Sequence, residues 1–277
     1  MGMRINTNVS SLAAQRTLSK TSMNLNSNLR KLSSGERITR AADDAAGLAI
    51  SENLRAQIRG MRQAKRNAND AISLIQTAEG GLNEISNIVI RLRELSMQAA
   101  TDTLGSEERG FSDIEFQSLK EEIDRIARSS EFNGVKLLDG TGGRMEFQVG
   151  IHNDPLNDRL TYDGTGSDAT ITTLGLSAES VGSKEGAQIS LKKLDNALVQ
   201  INGVRSTMGA LQNRLSSTVN NLGISEENLS AAKSRIRDVD IASETAEMAK
   251  NNILMQSGAS VLAQANQFPN IALKLLG

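Results

Sequence analysis

The sequence predicts a mainly α protein: a long antiparallel helical hairpin or coiled coil, a small β-hairpin region at its far end, and helical termini side by side at the other end. Three observations predict it. Proline occurs only at positions 155 and 269, so long helices are permitted almost everywhere. From Leu191 to Ile236 a seam steps by three and four residues without a break, through Leu194, Leu198, Ile201, Met208, Leu215, Leu222 and Leu229, which is a coiled-coil signature. Aromatic residues are 2% of the chain, with no Trp and one Tyr, so the core is built of aliphatic layers instead of large rings.

The N-terminal segment, Arg4 to Leu32, sets Leu18, Leu25, Leu29 and Leu32 on a 7-4-3 spacing, with Ser22 in the missing step. The C-terminal segment, Ile241 to Leu276, carries two neighbouring stripes: Leu254, Val261, Ala265 and Phe268, and Met248, Met255, Ala259 and Leu262. These seams are narrower than the stripe of an ordinary surface helix. Two helices of this length bury too little to offset an ordering cost of about 1–2 kcal/mol per residue. The expectation is that both ends stay disordered in the free chain and fold on assembly.

Between the ends, Ala45 to Thr101 shows two adjacent apolar stripes, the pattern of a helix buried on more than one side. At 1.5 Å per residue such a helix reaches roughly 80 Å. Ser33-Ser34-Gly35 breaks the first helix, and Asp43-Asp44 can cap this one. Ser106 to Ser130 predicts a shorter helix, capped at Ser106 and followed by Glu107 and Glu108. Met145, Phe147 and Val149 alternate with polar residues and predict a strand, with Arg159 to Tyr162 as its return. Asn133-Gly134 reads as a turn. Thr165 to Gly186 reads as a mobile surface loop. The domain division expected is 1–44 with 236–277 against 45–235, the latter including a β region at about 131–186.

Composition excludes several function classes. The formal net charge is -1, which argues against nucleic acid as a partner. Residues 1–40 hold seven basic side chains and one acid, whereas residues 107–158 hold twelve acids and six bases. That gradient is read either as solvated faces or as a head-to-tail match between subunits. There are no cysteines, so neither a disulfide framework nor a thiolate metal site is available. No apolar run approaches the ~20 residues of a membrane span. The first residues lack a secretory signal, so export by another route is expected. His152 is the only histidine and has no metal-ligand or triad spacing around it. Asp43/Asp44, Glu107/Glu108 and Glu121/Glu122 point about 100° apart on a helix and cannot converge as a catalytic dyad. No phosphate loop is present. The expectation is a non-enzyme without cofactors.

Six colinear blocks carry a family resemblance. They are Met3-Arg4-Ile5-Asn6-Thr7-Asn8-Val9; Leu32-Ser33-Ser34-Gly35-Glu36-Arg37-Ile38 with Ala41-Ala42-Asp43-Asp44-Ala45-Ala46-Gly47-Leu48-Ala49-Ile50; Ile75-Gln76-Thr77-Ala78-Glu79-Gly80; Glu131-Phe132-Asn133-Gly134-Val135-Lys136-Leu137-Leu138; Ser234-Arg235-Ile236-Arg237-Asp238; and Val261-Leu262-Ala263-Gln264-Ala265-Asn266-Gln267. In this order they resemble bacterial flagellin over nearly the whole chain, in a minimal form without the variable outer domains. The resemblance implies an extracellular, self-polymerising subunit of the flagellar filament, with its terminal helices paired in an inner coiled coil, secreted without a cleavable signal and transmitting motor torque. It implies an export chaperone, a filament cap and hook–filament junction proteins as partners. The polymerisation seams would be Leu18, Leu25, Leu29, Leu32, Leu254, Val261, Leu262 and Phe268. Arg91, Leu95 and Glu115 match family positions contacted by the vertebrate innate receptor for flagellin, Toll-like receptor 5. The β region Leu137 to Tyr162 is the surface expected to switch between subunit packings. The rival readings are a hook–filament junction protein and a secreted monomeric adhesin or immune ligand.

Overall fold

A computed structural model describes the backbone of residues 7–276 and the side chains of residues 7–267. The elements in chain order are α1 (Val9–Ser34), α2 (Ala45–Ala99), α3 (Ser106–Ser129), β1 (Glu131–Phe132), β2 (Val135–Lys136), β3 (Arg144–Gln148), β4 (Arg159–Asp163), α4 (Lys184–Arg237) and α5 (Ile241–Leu276). The expected helix start at Arg4 lies outside the described residues. They form two compact units, residues 1–56 with 228–277 and residues 57–227. The division between these units falls inside α2 and α4. The reason is local: Arg237 of α4 reaches both Glu36 and Glu52, which holds the first turns of α2 within the terminal unit.

In the 57–227 unit, α2 and α4 run antiparallel, with Arg62–Glu226 at 2.6 Å and Arg93–Asp195 at 2.7 Å. Ala68, Ile75, Leu82, Val89 and Leu92 of α2 meet Leu194, Ile201, Met208 and Leu215 of α4 in one buried core. The helix α2 ends where Arg109 donates to the carbonyls of Ala99 (2.9 Å) and Thr101 (2.7 Å), satisfying acceptors that a helix end leaves open. α3 then returns alongside α2 and buries Phe116, Ile123 and Ala127. Its N-cap is Gly105, without a side-chain cap; Ser106 is its first helical residue, and Glu107 and Glu108 occupy the first turn.

Because α3 doubles back, the β region does not lie beyond the helical turn. The residues after α3 pack on the flank of α2, where Asn67 donates to the Gln148 carbonyl at 3.0 Å and a Cβ on Gly60 would stand 3.0 Å from Ile151. β1 and β2 form a hairpin through Asn133 (φ 49°) and Gly134 (φ 79°), the paired left-handed conformation of a two-residue turn. β3 and β4 pair from Arg144↔Asp163 to Gln148↔Arg159. The Tyr162 hydroxyl, buried at the base of this hairpin, donates to the Leu137 carbonyl at 2.9 Å. Tyr162→Phe leaves that acceptor orphaned and is expected to cost about 1–3 kcal/mol in a urea melt of the protein.

The stretch 165–183 is not the mobile surface loop expected from its composition. Ala169, Ile171, Leu174, Leu176 and Val181 are buried in the same core. A polar network fastens its end. The Lys120 ammonium donates to the carbonyls of Ser177 (3.0 Å) and Glu179 (2.8 Å) and to Gln117. Asp113 accepts from the Ser180 hydroxyl (2.9 Å) and the Val181 amide (2.8 Å). The buried Glu179 carboxylate meets Lys193 at 2.7 Å. Burial lowers the Lys120 pKa from its ordinary value.

Candidate assembly interface

The terminal unit is an antiparallel helix pair. α1 begins at an Asn8 cap, whose side chain accepts from the Ser11 amide, and ends at Gly35 in a left-handed conformation (φ 71°). The next residues form a short connector: the Arg37 amide donates to the Arg237 carbonyl, the Val239 amide donates to the Gly35 carbonyl at 3.0 Å, and Glu36 and Asp238 bridge. Asp44 then accepts from the Gly47 amide at 2.8 Å and starts α2, the capping role expected of it.

Arg237 organises this connector, with its Nε 2.8 Å from Glu36 and a hydrogen bond from its guanidinium to Glu52. That bond lowers the Glu52 pKa below its ordinary 4.5, and a hydrogen bond from the Thr39 hydroxyl lowers that of Asp43 below 3.8. Both folded values lie below the unfolded ones. Their contribution is therefore complete above pH 4.5 and is lost as pH falls through the lowered values. The folded terminal unit is expected to lose helicity as pH falls through those values in an acid titration followed by circular dichroism, and Arg237→Gln is expected to flatten that pH dependence.

The seam between α1 and α5 steps by three and four on both helices. On α1 it runs through Ala14, Leu18, Thr21, Leu25, Asn28 and Leu32; on α5 through Met248, Asn251, Met255, Gly258, Leu262 and Ala265. Every one of these side chains is buried or half-buried. A Cβ on Gly258 would stand 3.3 Å from the Leu18 Cδ1, so Leu18 seats against the bare helix there. Asn8 donates to the Ala265 carbonyl at 2.7 Å, the Ser11 hydroxyl donates to Asn266 at 2.6 Å, and Lys31 and Glu244 approach to 3.4 Å.

The expected seam residues therefore divide. Leu18, Leu25, Leu32 and Leu262 lie between the paired helices. Leu254 (47% exposed) and Val261 (55%) face outward on the second α5 stripe, and Leu29 is exposed on the flank of α1. Phe268 lies outside the described side chains. The back of α1 exposes Val9, Leu12 and Met23 as well. The sequence reading missed the two asparagines of the seam, Asn28 and Asn251; the three-and-four stepping that passes through them was the available signal.

The three receptor-matching residues also divide. Arg91 donates to Glu115 at 2.9 and 3.0 Å across the α2–α3 surface. A hydrogen bond to Glu94, together with this one to Glu115, raises the Arg91 pKa. Leu95 is 2% exposed and belongs to the core, so a partner approaching this face meets Arg91 and Glu115, not the Leu95 side chain.

Two family models match the chain: the bacterial flagellin N-terminal helical region over residues 5–142 and the bacterial flagellin C-terminal helical region over residues 191–276. A flagellin of Halalkalibacterium halodurans is 46% identical, with 99% of this chain and 100% of the relative covered. The chain belongs to the bacterial flagellin family. Among flagellin relatives, that of Bacillus subtilis is 43% identical and the flagellar filament 33 kDa core protein of Treponema phagedenis 44%, each covered over 100% of its length and over 99% of this chain. A solved flagellin of Bacillus cereus is 35% identical with a TM-score of 0.51, covering 57% of this chain and 88% of its own. A putative flagellar hook-associated protein of Vibrio parahaemolyticus shares the fold at a TM-score of 0.58, covering 71% of this chain and 100% of its own, but only 14% of the sequence. Flagellins are a structural protein family. Among the described residues of this flagellin, no helix is long and apolar enough to cross a membrane, and no group of three His, Cys, Asp or Glu side chains is placed to hold a metal.

Proposed function

We infer that the chain is a structural subunit that polymerises into the bacterial flagellar filament and transmits motor torque for swimming. Family membership supports this over a hook–filament junction role, because the relatives matched over their full length are flagellins and filament core proteins. The single structural observation that carries the reading is the unused second stripe of α5. One heptad seam of that helix is consumed by α1, and the other, Leu254 and Val261, is left to solvent. A contact of this kind that does not close on itself generates an open helical polymer.

The outer face of α4 supports the same reading. Val199, Gly203, Ser206, Ala210, Asn213 and Ser217 step by three and four, all exposed and without a charge among them. An ordinary solvated helix face carries charged residues. A Cβ on Gly203 would meet nothing within 4 Å, so nothing in the subunit itself requires glycine there.

The α1–α5 pair buries few large side chains, which fits ends that fold on assembly and pass unfolded through an export channel. The location is then extracellular, and the further partners are an export chaperone, the filament cap and junction proteins. Innate-receptor recognition would rest on Arg91 and Glu115; silence of a Toll-like receptor 5 reporter at saturating subunit would remove it from this set. The deciding experiment is electron microscopy of purified protein across concentration and salt. Micrometre filaments are expected, and a chain that stays solitary throughout refutes the reading.

A further inference from the structure

We propose that Asn28 and Asn251 form a register lock for the α1–α5 pair. Both are nearly fully buried, at 5% and 4% exposure, in a seam whose other members are mostly apolar or small. With the Asn28 amide oriented by its neighbours, its oxygen accepts from the Asn251 amide at 3.2 Å, and its nitrogen donates to the Asn24 carbonyl at 2.8 Å and to Glu244 at 3.2 Å. Lys31 meets the same Glu244 at 3.4 Å. The amide layer is thus satisfied in one alignment.

The apolar layers do not define that alignment; outside the amides it is favoured only by bonds at the two ends of the pair, Val239 to Gly35 at the connector and Asn8 to Ala265 at the far end. Leu18, Leu25 and Leu32 recur every seven residues on α1, and Met248, Met255 and Leu262 every seven on α5. A one-heptad shift sets Leu25 where Leu18 was and Met255 where Met248 was. The apolar layers are then almost unchanged. The two amides, however, move about 10 Å apart. Each is left buried among apolar groups without its partner, which is unfavourable. A single buried polar position that selects register at a cost in stability is an established use of asparagine in coiled coils. Here both helices contribute one, so the lock is reciprocal.

The chain has no cysteine, which makes disulfide trapping selective. Leu18→Cys with Gly258→Cys reports the observed alignment, and Leu25→Cys with Gly258→Cys reports the shifted one. Each pair is oxidised in assembled filaments, where the ends are folded, then read on non-reducing gels as an intramolecular link. With Asn28 and Asn251 in place, only the first pair is expected to close. With Asn28→Leu and Asn251→Leu, the second pair is expected to close to a detectable extent, with the first pair still the more abundant because the end bonds of the pair remain. A leucine chain whose filaments still close only Leu18→Cys with Gly258→Cys overturns the lock, as does closure of the shifted pair in filaments with both asparagines present. The proposal rests on α1 and α5 pairing within one subunit. If that reading fails instead, the first pair gives dimers or no link even in the native background, an outcome distinct from an unchanged register.

Discussion

Replacing Leu254 and Val261 together by aspartate is expected to abolish filament formation while leaving the thermal transition of the 57–227 unit in place. Both side chains are exposed on the subunit, so their replacement removes no contact there, and surface changes of this kind stay within about 0.5 kcal/mol. In a polymer that covers the second α5 stripe, each aspartate becomes a buried, unpaired carboxylate. Such a charge costs several kcal/mol. Two of them raise the critical concentration by roughly 10³-fold or more. Sedimentation across a concentration series measures that shift directly. The conservative pair Leu254→Met and Val261→Ile, which keeps the stripe apolar, is expected to polymerise at close to the native concentration. Ordinary filaments from the aspartate chain would mean that this stripe stays wet in the assembly, and that the outward face of α5 has some other use.

That prediction depends on knowing which of two α5 stripes is free, and the sequence alone does not say. Leu254–Val261 and Met248–Met255–Leu262 are equally regular heptads. Only the packed pair shows that α1 takes the methionine stripe. The helices themselves were legible because their periodicity runs for many turns. α2 and α3 begin and end within two residues of the expected positions. The two-residue strands β1 and β2 were visible only as a turn, since no alternation can be read over two positions. The stretch 165–183 was misjudged for a related reason. Ile171, Leu174, Leu176 and Val181 have no common period, and their burial is secured by Lys120, Asp113 and Lys193, which are distant in sequence. The flank position of the β hairpins follows from α3 reversing direction, and the residues at 100–105 announce a turn without announcing its angle. Asn28 and Asn251 were passed over because an apolar seam was sought and they interrupt it. Leu95 carried a family match that concerned surface recognition, whereas its burial follows from the apolar stripe it shares with Leu92 and Ala99 on α2.

Phe116→Ala is expected to produce the largest loss of stability of any single side-chain truncation in the 57–227 unit. Phe116 is fully buried, and it heads the large side chains with no exposed surface. Truncating a buried phenylalanine costs about 3–5 kcal/mol, part of it for the cavity left behind. How far that cavity collapses depends on the neighbours. Here the shared core is mostly aliphatic side chains held on long helices, which refill such a space only in part. Lys120 makes the site less forgiving. Its ammonium lies 5.8 Å from the Phe116 ring centroid while it holds the carbonyls of Ser177 and Glu179. Without the ring, a partly buried cation faces a void, and the segment it fastens, 176–183, loses one wall. Differential scanning calorimetry is expected to show the transition lowered by roughly 10 °C or more. Phe116→Leu, which refills much of the volume, should recover over half of that loss. A drop of only a degree or two on Phe116→Ala would show that the aliphatic layers of α2 and α4 hold this unit together without α3, and that α3 is a cover and not a part of the core.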